Sequence, residues 1–414
     1  MSAAEHALEW ELDSPMQMRP CWVEIRTRLF EENLQFLLGL APRDAELLAV
    51  VKADAYGHGL DLCAPAAVRA GARWLGVTSV EEGVAARALC PEPRILLMGA
   101  TYPGQGAEVI RHGLTPSAWD LWQLDELEGA ARAAGLRPAS LPVHLEIDTG
   151  MSRQGVCAED LMPVLNRFKP GSPLRLEGVM THLFAADEAD GVVTESQLAR
   201  LDATMERIGA AGHLPEWLNV GASAALLAGQ APSIAELANR HGLKAMLRPG
   251  LALYGLAPEF DPGFDPEQAQ QEPETLLAAH QHLQPILSWK TRVVSLRSIP
   301  TGAVVGYNGT FVASEPMRLA LIAVGYADGL DRRLGNNFCL LVRGQRALLA
   351  GRISMDQAVL DVTGIPAVEV GDEVTILGSQ GDETISAFDH AEATGTIPWE
   401  VFTRIGARVR RISI

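Results

Sequence analysis

From about residue 46 to residue 250, short apolar runs alternate with longer amphipathic stretches. The runs at residues 47–52, 74–78, 94–98, 114–117, 143–148, 176–182, 217–220 and 245–248 predict strands. Their near-continuous apolar character is that of strands buried on both faces. Between them, segments such as 80–89, 119–134 and 196–209 carry helical spacing. Eight such strand–helix repeats over about 200 residues predict an α/β fold, a closed (β/α)8 TIM-type barrel. A doubly wound open sheet competes, but no GxGxxG turn follows the first strand.

The pattern then changes. Residues 259–284 contain six acidic residues, three prolines and no Lys or Arg, which reads as an acidic linker with a short helix near 275–280. Beyond it, strand-like runs at 293–296, 318–324, 338–342, 347–349, 358–362 and 373–377 are separated by glycine-bearing turns. They predict a β-rich C-terminal domain over 285–414, after a barrel over 19–258 whose first strand can join that C-terminal domain.

Composition narrows the function. A net charge of −17 over 414 residues argues against a nucleic-acid partner, and no run is long enough for a membrane span. Residues 1–13 are acidic and lack a basic start or an apolar centre. They read as a short extension ahead of the fold, not as a secretory signal. The five cysteines are scattered and never spaced as CxxC, which suits a reducing cytoplasm and neither a disulfide framework nor a zinc site.

In a barrel, functional groups gather at the C-terminal ends of the strands. The polar exceptions of this sequence fall there: Lys52, Asp148, Arg153, His182, Ser223 and Arg248. Lys52 is the most informative. Burial disfavours an ammonium and lowers its pKa, which suits an amine that must act as a nucleophile toward a carbonyl cofactor. A lysine emerging into solvent as its strand ends is the alternative. Ser223, taken alone, is a helix-cap candidate before residues 224–227.

Residues 49–59, Ala-Val-Val-Lys-Ala-Asp-Ala-Tyr-Gly-His-Gly, resemble the cofactor-lysine motif of alanine racemases, pyridoxal-phosphate enzymes built from a barrel and a β-domain. The likeness continues at residues 148–153, 180–188, 248–255, 305–310, 325–329 and 351–356, in the family's order. It implies pyridoxal 5'-phosphate as cofactor and a homodimer acting on a small amino acid, interconverting L- and D-alanine. Lys52 would carry the cofactor as a Schiff base and be one of two acid/base groups. Tyr307 would be the other, reaching the partner's site from the opposite face. Arg248 would face the pyridine nitrogen, with His182 beside the cofactor. Tyr56, Ser223, Trp399 and the N–H groups of Gly250 and Leu251 would serve phosphate and pocket. Arg153 and the backbone at Met355 would hold the substrate carboxylate, and Tyr326 would narrow the entrance. Asp328 and Asp356 are expected to shape their turns.

Three positions depart from the family pattern. Glu146 stands where many members carry a carbamylated lysine, and is expected to pair with Arg153 directly or through water. Asn219 replaces a histidine next to Arg248, and Trp399 replaces a tyrosine, which bears on substrate choice. The rival readings are a racemase of other small amino acids, a decarboxylase on the same architecture, and a non-catalytic pyridoxal-phosphate-binding barrel.

Overall fold

The computed structural model describes residues 19–188, 190–260 and 273–414. The chain divides into two compact units, one of residues 27–286 and one of the residues up to Arg26 together with 287–414. The predicted extension over residues 1–13 and residues 261–272 of the acidic linker lie outside the described residues.

The first strand, β1 (Cys21–Ile25), belongs to the second of these units. The next eight are β2 (Glu46–Val50), β3 (Trp74–Val77), β4 (Arg94–Leu97), β5 (Thr115–Ala118), β6 (Leu141–Glu146), β7 (Leu174–Met180), β8 (Trp217–Ala222) and β9 (Lys244–Arg248). They close a parallel barrel in sequence order, with β9 pairing back onto β2. Each predicted run overlaps one of these strands. Residues 46–50 and 74–77 are buried throughout, as strands covered by helices on one side and packed inward on the other must be. The intervening helices include Val80–Leu89, Leu121–Ala133 and Val192–Ala210.

The N-terminal end of the barrel is closed by an ionic cluster. Arg94 reaches both carboxylate oxygens of the buried Glu177 at 2.9 and 2.6 Å, Arg175 adds a third bond at 2.7 Å, and the Arg94 guanidinium lies 4.1 Å from the centre of the Trp74 ring. Glu177, although buried, is held well below the usual carboxylate range by His144 and Arg94. A buried charge of this kind persists because it is fully paired. The opposite, C-terminal end is where the remaining polar groups collect.

The second unit contains β10 (Leu287–Ile299), β11 (Val304–Val305), β12 (Phe311–Val312), β13 (Met317–Ile322), β14 (Cys339–Val342), β15 (Gln345–Leu348), β16 (Ala358–Asp361), β17 (Glu373–Gln380), β18 (Glu383–Ile385) and β19 (Arg410–Ser413). The six predicted runs fall on β10, β13, β14, β15, β16 and β17. Strand β10 is the spine of a nine-stranded sheet: it pairs with β1 and β17 through its first half and with β13 through its second. A register shift between Val293 and Ser295 marks the change of partner. β19 pairs in parallel with β1. Its sequence, Arg-Arg-Ile-Ser, has no apolar alternation, so only the long-range pairing makes it a strand. No helix among the described residues is long and apolar enough to cross a membrane.

Candidate active site

Strand β2 stops at Val50, two residues short of the predicted end, and Lys52 begins a different structure. Ala53, Asp54, Ala55 and Tyr56 all have φ between +52 and +55°, one turn of left-handed helix built from residues with side chains. The turn swings the chain out of the barrel wall immediately after Lys52. Lys52 is partly buried, and burial together with the positive charges of Arg153 and Arg248 lowers its pKa, with Glu82 opposing.

Arg248 closes β9 and is 4% exposed. One Nη donates to the Asn219 carbonyl at 2.6 Å and to the Asn219 side-chain oxygen; the other donates to the Thr181 carbonyl at 2.8 Å and lies 3.4 Å from His182 Nδ1. Nε–H is left without an acceptor among the described residues. Burial brings its pKa down to about 10, so the guanidinium stays charged near neutrality. His182 is pushed down to about 3 by burial and by Arg248, Arg153 and Lys52, so its ring is neutral.

Beside these groups lies a small cradle. Ser223 Oγ accepts from the N–H of Gly250 at 2.9 Å and of Ala252 at 3.2 Å. Ser223 is the first residue of the helix Ser223–Leu227, whose cap is Ala222, so its hydroxyl does not serve its own helix. The Tyr56 hydroxyl packs on the Gly250 backbone so closely that a Cβ there would sit 2.3 Å away, so any side chain at this position would have to displace the Tyr56 ring. Gly250 precedes the 3-10 helix Leu251–Tyr254, whose first N–H groups have no partner within the helix.

The loops that carry Asp148, Arg153 and His182 are tied together. Asp148 Oδ1 accepts from Gly150 and Ser152 N–H at 2.8 and 3.1 Å. Thr149 and Thr181 share a hydroxyl bond of 2.8 Å, and Gln197 donates to Thr149 Oγ1 and to the His182 carbonyl. Of the two arrangements expected for Glu146, the direct pairing with Arg153 is not made. Glu146 is buried, 3% exposed, and its carboxylate accepts from Gln154 Nε2 at 2.7 Å, with no ion pair to Arg153 within 4 Å among the described residues. Burial raises its pKa, while Gln154, Arg248 and Arg153 draw it back. Arg153 is exposed on the loop after β6, and its positive charge is felt by Glu146, Lys52 and Arg248.

The barrel unit therefore holds Lys52, Tyr56, Arg153, His182, Ser223, Arg248, Gly250 and Leu251. Tyr307, Tyr326, Met355 and Trp399 belong to the other unit. There, Tyr307 is 66% exposed in a tight turn, with Gly306 packed on Arg352. The Tyr326 N–H donates to the Ser354 carbonyl and the Ala327 N–H to the Met355 carbonyl, at 3.1 and 3.0 Å, so three of the four predicted residues share one loop cluster. Asp328 is buried and accepts from Gly325 N–H, Arg19 and Arg408, the last of which also bonds Asp356. Trp399 lies apart from that cluster's bonds, on the helix Pro398–Thr403.

Sequence reasoning missed Tyr254, Gln154 and Glu82. Tyr254 is fully buried, donates to the Val50 carbonyl at 2.9 Å and stacks near Tyr56 and His58 with ring centres 4.9 and 4.5 Å away. Its place inside the motif at 248–255 was the available signal. Gln154 and Glu82 had none.

Residues 25–258 match the model of the alanine racemase N-terminal domain, and residues 286–413 that of the alanine racemase C-terminal domain. The alanine racemase of Sorangium cellulosum (strain So ce56) is 36% identical over 403 residues, covering 95% of this chain and 99% of that protein. The crystal structure of alanine racemase from D-cycloserine-producing Streptomyces lavendulae is similar with a TM-score of 0.83 at 31% identity, over 96% of this chain and 98% of that one. That of alanine racemase from Bartonella henselae, with covalently bound pyridoxal phosphate, has a TM-score of 0.77 at 25% identity, over 95% and 99%. The chain belongs to the alanine racemase family and is an amino-acid racemase.

Proposed function

We propose that this racemase is pyridoxal 5'-phosphate-dependent, works as a homodimer on alanine, and uses Lys52 and the partner's Tyr307 as its two acid/base groups. The residues present fit the cofactor. A lysine of lowered pKa suits its aldehyde, and the open Nε–H of the buried Arg248 suits an acceptor nitrogen on its ring. The Tyr56–Ser223–Gly250 cradle, where the Gly250 and Ala252 N–H groups converge on the Ser223 hydroxyl at the start of a 3-10 helix, suits its phosphate. The meeting of these three features at one end of the barrel is the observation that carries the reading.

When bound, the cofactor supplies the electron-withdrawing system that acidifies the substrate Cα–H bond. The protein's own groups do the rest. Lys52 Nζ moves a proton on one face of Cα, and the Tyr307 hydroxyl moves one on the other, as inversion of configuration requires. Arg248 keeps its proton and donates a hydrogen bond without protonating the ring. Its bonds to the Asn219 and Thr181 carbonyls fix the guanidinium at the barrel's end. His182, neutral, adds no competing charge. Arg153 and the Met355 backbone orient the substrate carboxylate, and Tyr326 limits the size of what enters.

The test is incubation with cofactor and L-alanine in D₂O while chirality and α-deuterium are followed. Loss of both signals in Lys52→Ala, with a defect selective for one enantiomer in Tyr307→Phe, is expected. Deuterium exchange that survives in Lys52→Ala overturns the assignment. Parallel assays on serine and lysine separate alanine from broader substrate use.

A further inference from the structure

The left-handed turn after Lys52 is expensive, because each L-residue in that region costs about 1–2 kcal/mol. Such a segment persists only where its surroundings over-determine it. At its far end, Asp54 Oδ1 accepts from the Leu60 N–H at 2.7 Å and the Asp54 carbonyl accepts from Gly59 at 2.9 Å. At its near end stands Glu82. One carboxylate oxygen accepts from the Ala53 N–H at 2.6 Å, and the other from the Thr78 N–H at 2.9 Å.

Glu82 is not spent on its own helix. Ser79 caps the helix Val80–Leu89 and accepts from the Glu82 N–H at 3.2 Å, the first half of a capping box. The second half would return the Glu82 carboxylate to the Ser79 N–H. Instead the carboxylate turns to the residue before the cap and across to the residue after Lys52. It thereby joins the chain leaving β3 to the chain leaving β2, at the point where Lys52 departs.

We propose that Glu82 is a positioning residue for Lys52, fixing through the Ala53 N–H the turn that presents the Lys52 amine to the cofactor. The inference rests on the reading of Lys52 as the cofactor lysine. Glu82 also places a negative charge near an amine otherwise surrounded by Arg153 and Arg248.

Borohydride reduction of the holoenzyme followed by peptide mass spectrometry first locates the modified lysine. A label on another lysine overturns the reading of Lys52 itself, and with it any role of Glu82 toward the cofactor. With the label on Lys52, Glu82→Ala and Glu82→Gln are compared with the parent by hydrogen–deuterium exchange, by pH titration of the cofactor's visible absorbance, and by steady-state kinetics. In Glu82→Ala, exchange over residues 53–59 is expected to rise about tenfold or more, the scale of a lost charge-assisted bond. The same variant should lower kcat about tenfold with KM for alanine within about twofold, since the group acts on the reacting amine and not on substrate binding. The absorbance midpoint should move. Glu82→Gln, which keeps one acceptor, should recover part of the protection and of kcat. Unchanged exchange and kcat in Glu82→Ala overturn the proposal, as does a rise in exchange spread evenly over the barrel. Should Glu82→Ala fail to fold, the parent decides: an Ala53 amide exchanging at the unprotected rate overturns it, and a protected one with reduced kcat in Glu82→Gln supports it.

Discussion

Two titratable side chains show most clearly how environment sets chemistry at the scale of the residue. Glu146 is a buried carboxylate whose ionised form is favoured by Gln154, Arg248 and Arg153 against the cost of burial. Glu146→Gln keeps the bond to Gln154 and removes only the charge. It is expected to lower kcat/KM for alanine about tenfold, or about 1.4 kcal/mol of transition-state stabilisation. Steady-state kinetics check this, and an unchanged value removes the carboxylate from the mechanism. His182 gives a pH prediction. Its folded pKa, about 3, lies below the ordinary histidine value, so the unfolded chain takes up a proton that the folded chain refuses. Its contribution to stability is complete above the unfolded pKa and is lost as pH falls toward the folded one. Thermal unfolding from about pH 7 to pH 4 should therefore cost His182→Gln less than the parent. The buried His144, depressed in the same direction, leaves a residual acid sensitivity in both.

At the scale of the element, legibility followed burial. The barrel strands were readable because each is an apolar run buried on both faces, and their ends placed Asp148, His182, Ser223 and Arg248 at one mouth. The left-handed turn after Lys52 was not readable, because Ala, Asp, Ala and Tyr carry no local preference for positive φ; the bonds to Glu82 and Asp54 impose it. Two packing contacts around that turn can be tested. Gly250→Ala sets a methyl against the Tyr56 hydroxyl and should cost about 1–3 kcal/mol if the ring cannot move. Its readout is a cofactor dissociation constant raised about tenfold or more, because the cradle must open. Tyr254→Phe removes a buried hydroxyl from the Val50 carbonyl and should cost about 1–3 kcal/mol in denaturant unfolding, the scale of a buried acceptor left unsatisfied.

At the scale of the whole molecule, the residues proposed for the site divide between two units, Lys52 and Arg248 in one, Tyr307, Tyr326 and Met355 in the other. The proposed sharing of the site between two copies of the chain makes a quantitative prediction. Mixing Lys52→Ala and Tyr307→Ala proteins under exchange conditions yields half mixed dimers, each with one intact site, and so about a quarter of the parent's activity. No recovery on mixing argues that both groups come from one chain. The loop cluster that joins Tyr326 to Ser354 and Ala327 to Met355 was only partly legible: the motifs were visible, but nothing in their spacing said that they bond to one another.

The sequence by itself determined the barrel, the β-rich second domain and the family, and singled out Lys52 as the proposed amine, because periodicity, burial and ordered motifs are local or collinear properties. Tertiary structure alone decided which partner each charge finds. Glu146 bonds directly to Gln154 and not to Arg153, Ser223 to the Gly250 backbone instead of its own helix, and Glu82 to Ala53 instead of Ser79. In each case the fold decides which donor and acceptor meet, whether eight residues apart, as for Glu146 and Gln154, or nearly thirty, as for Glu82 and Ala53, and a hydrogen bond depends on a few tenths of an ångström that no spacing along the sequence encodes.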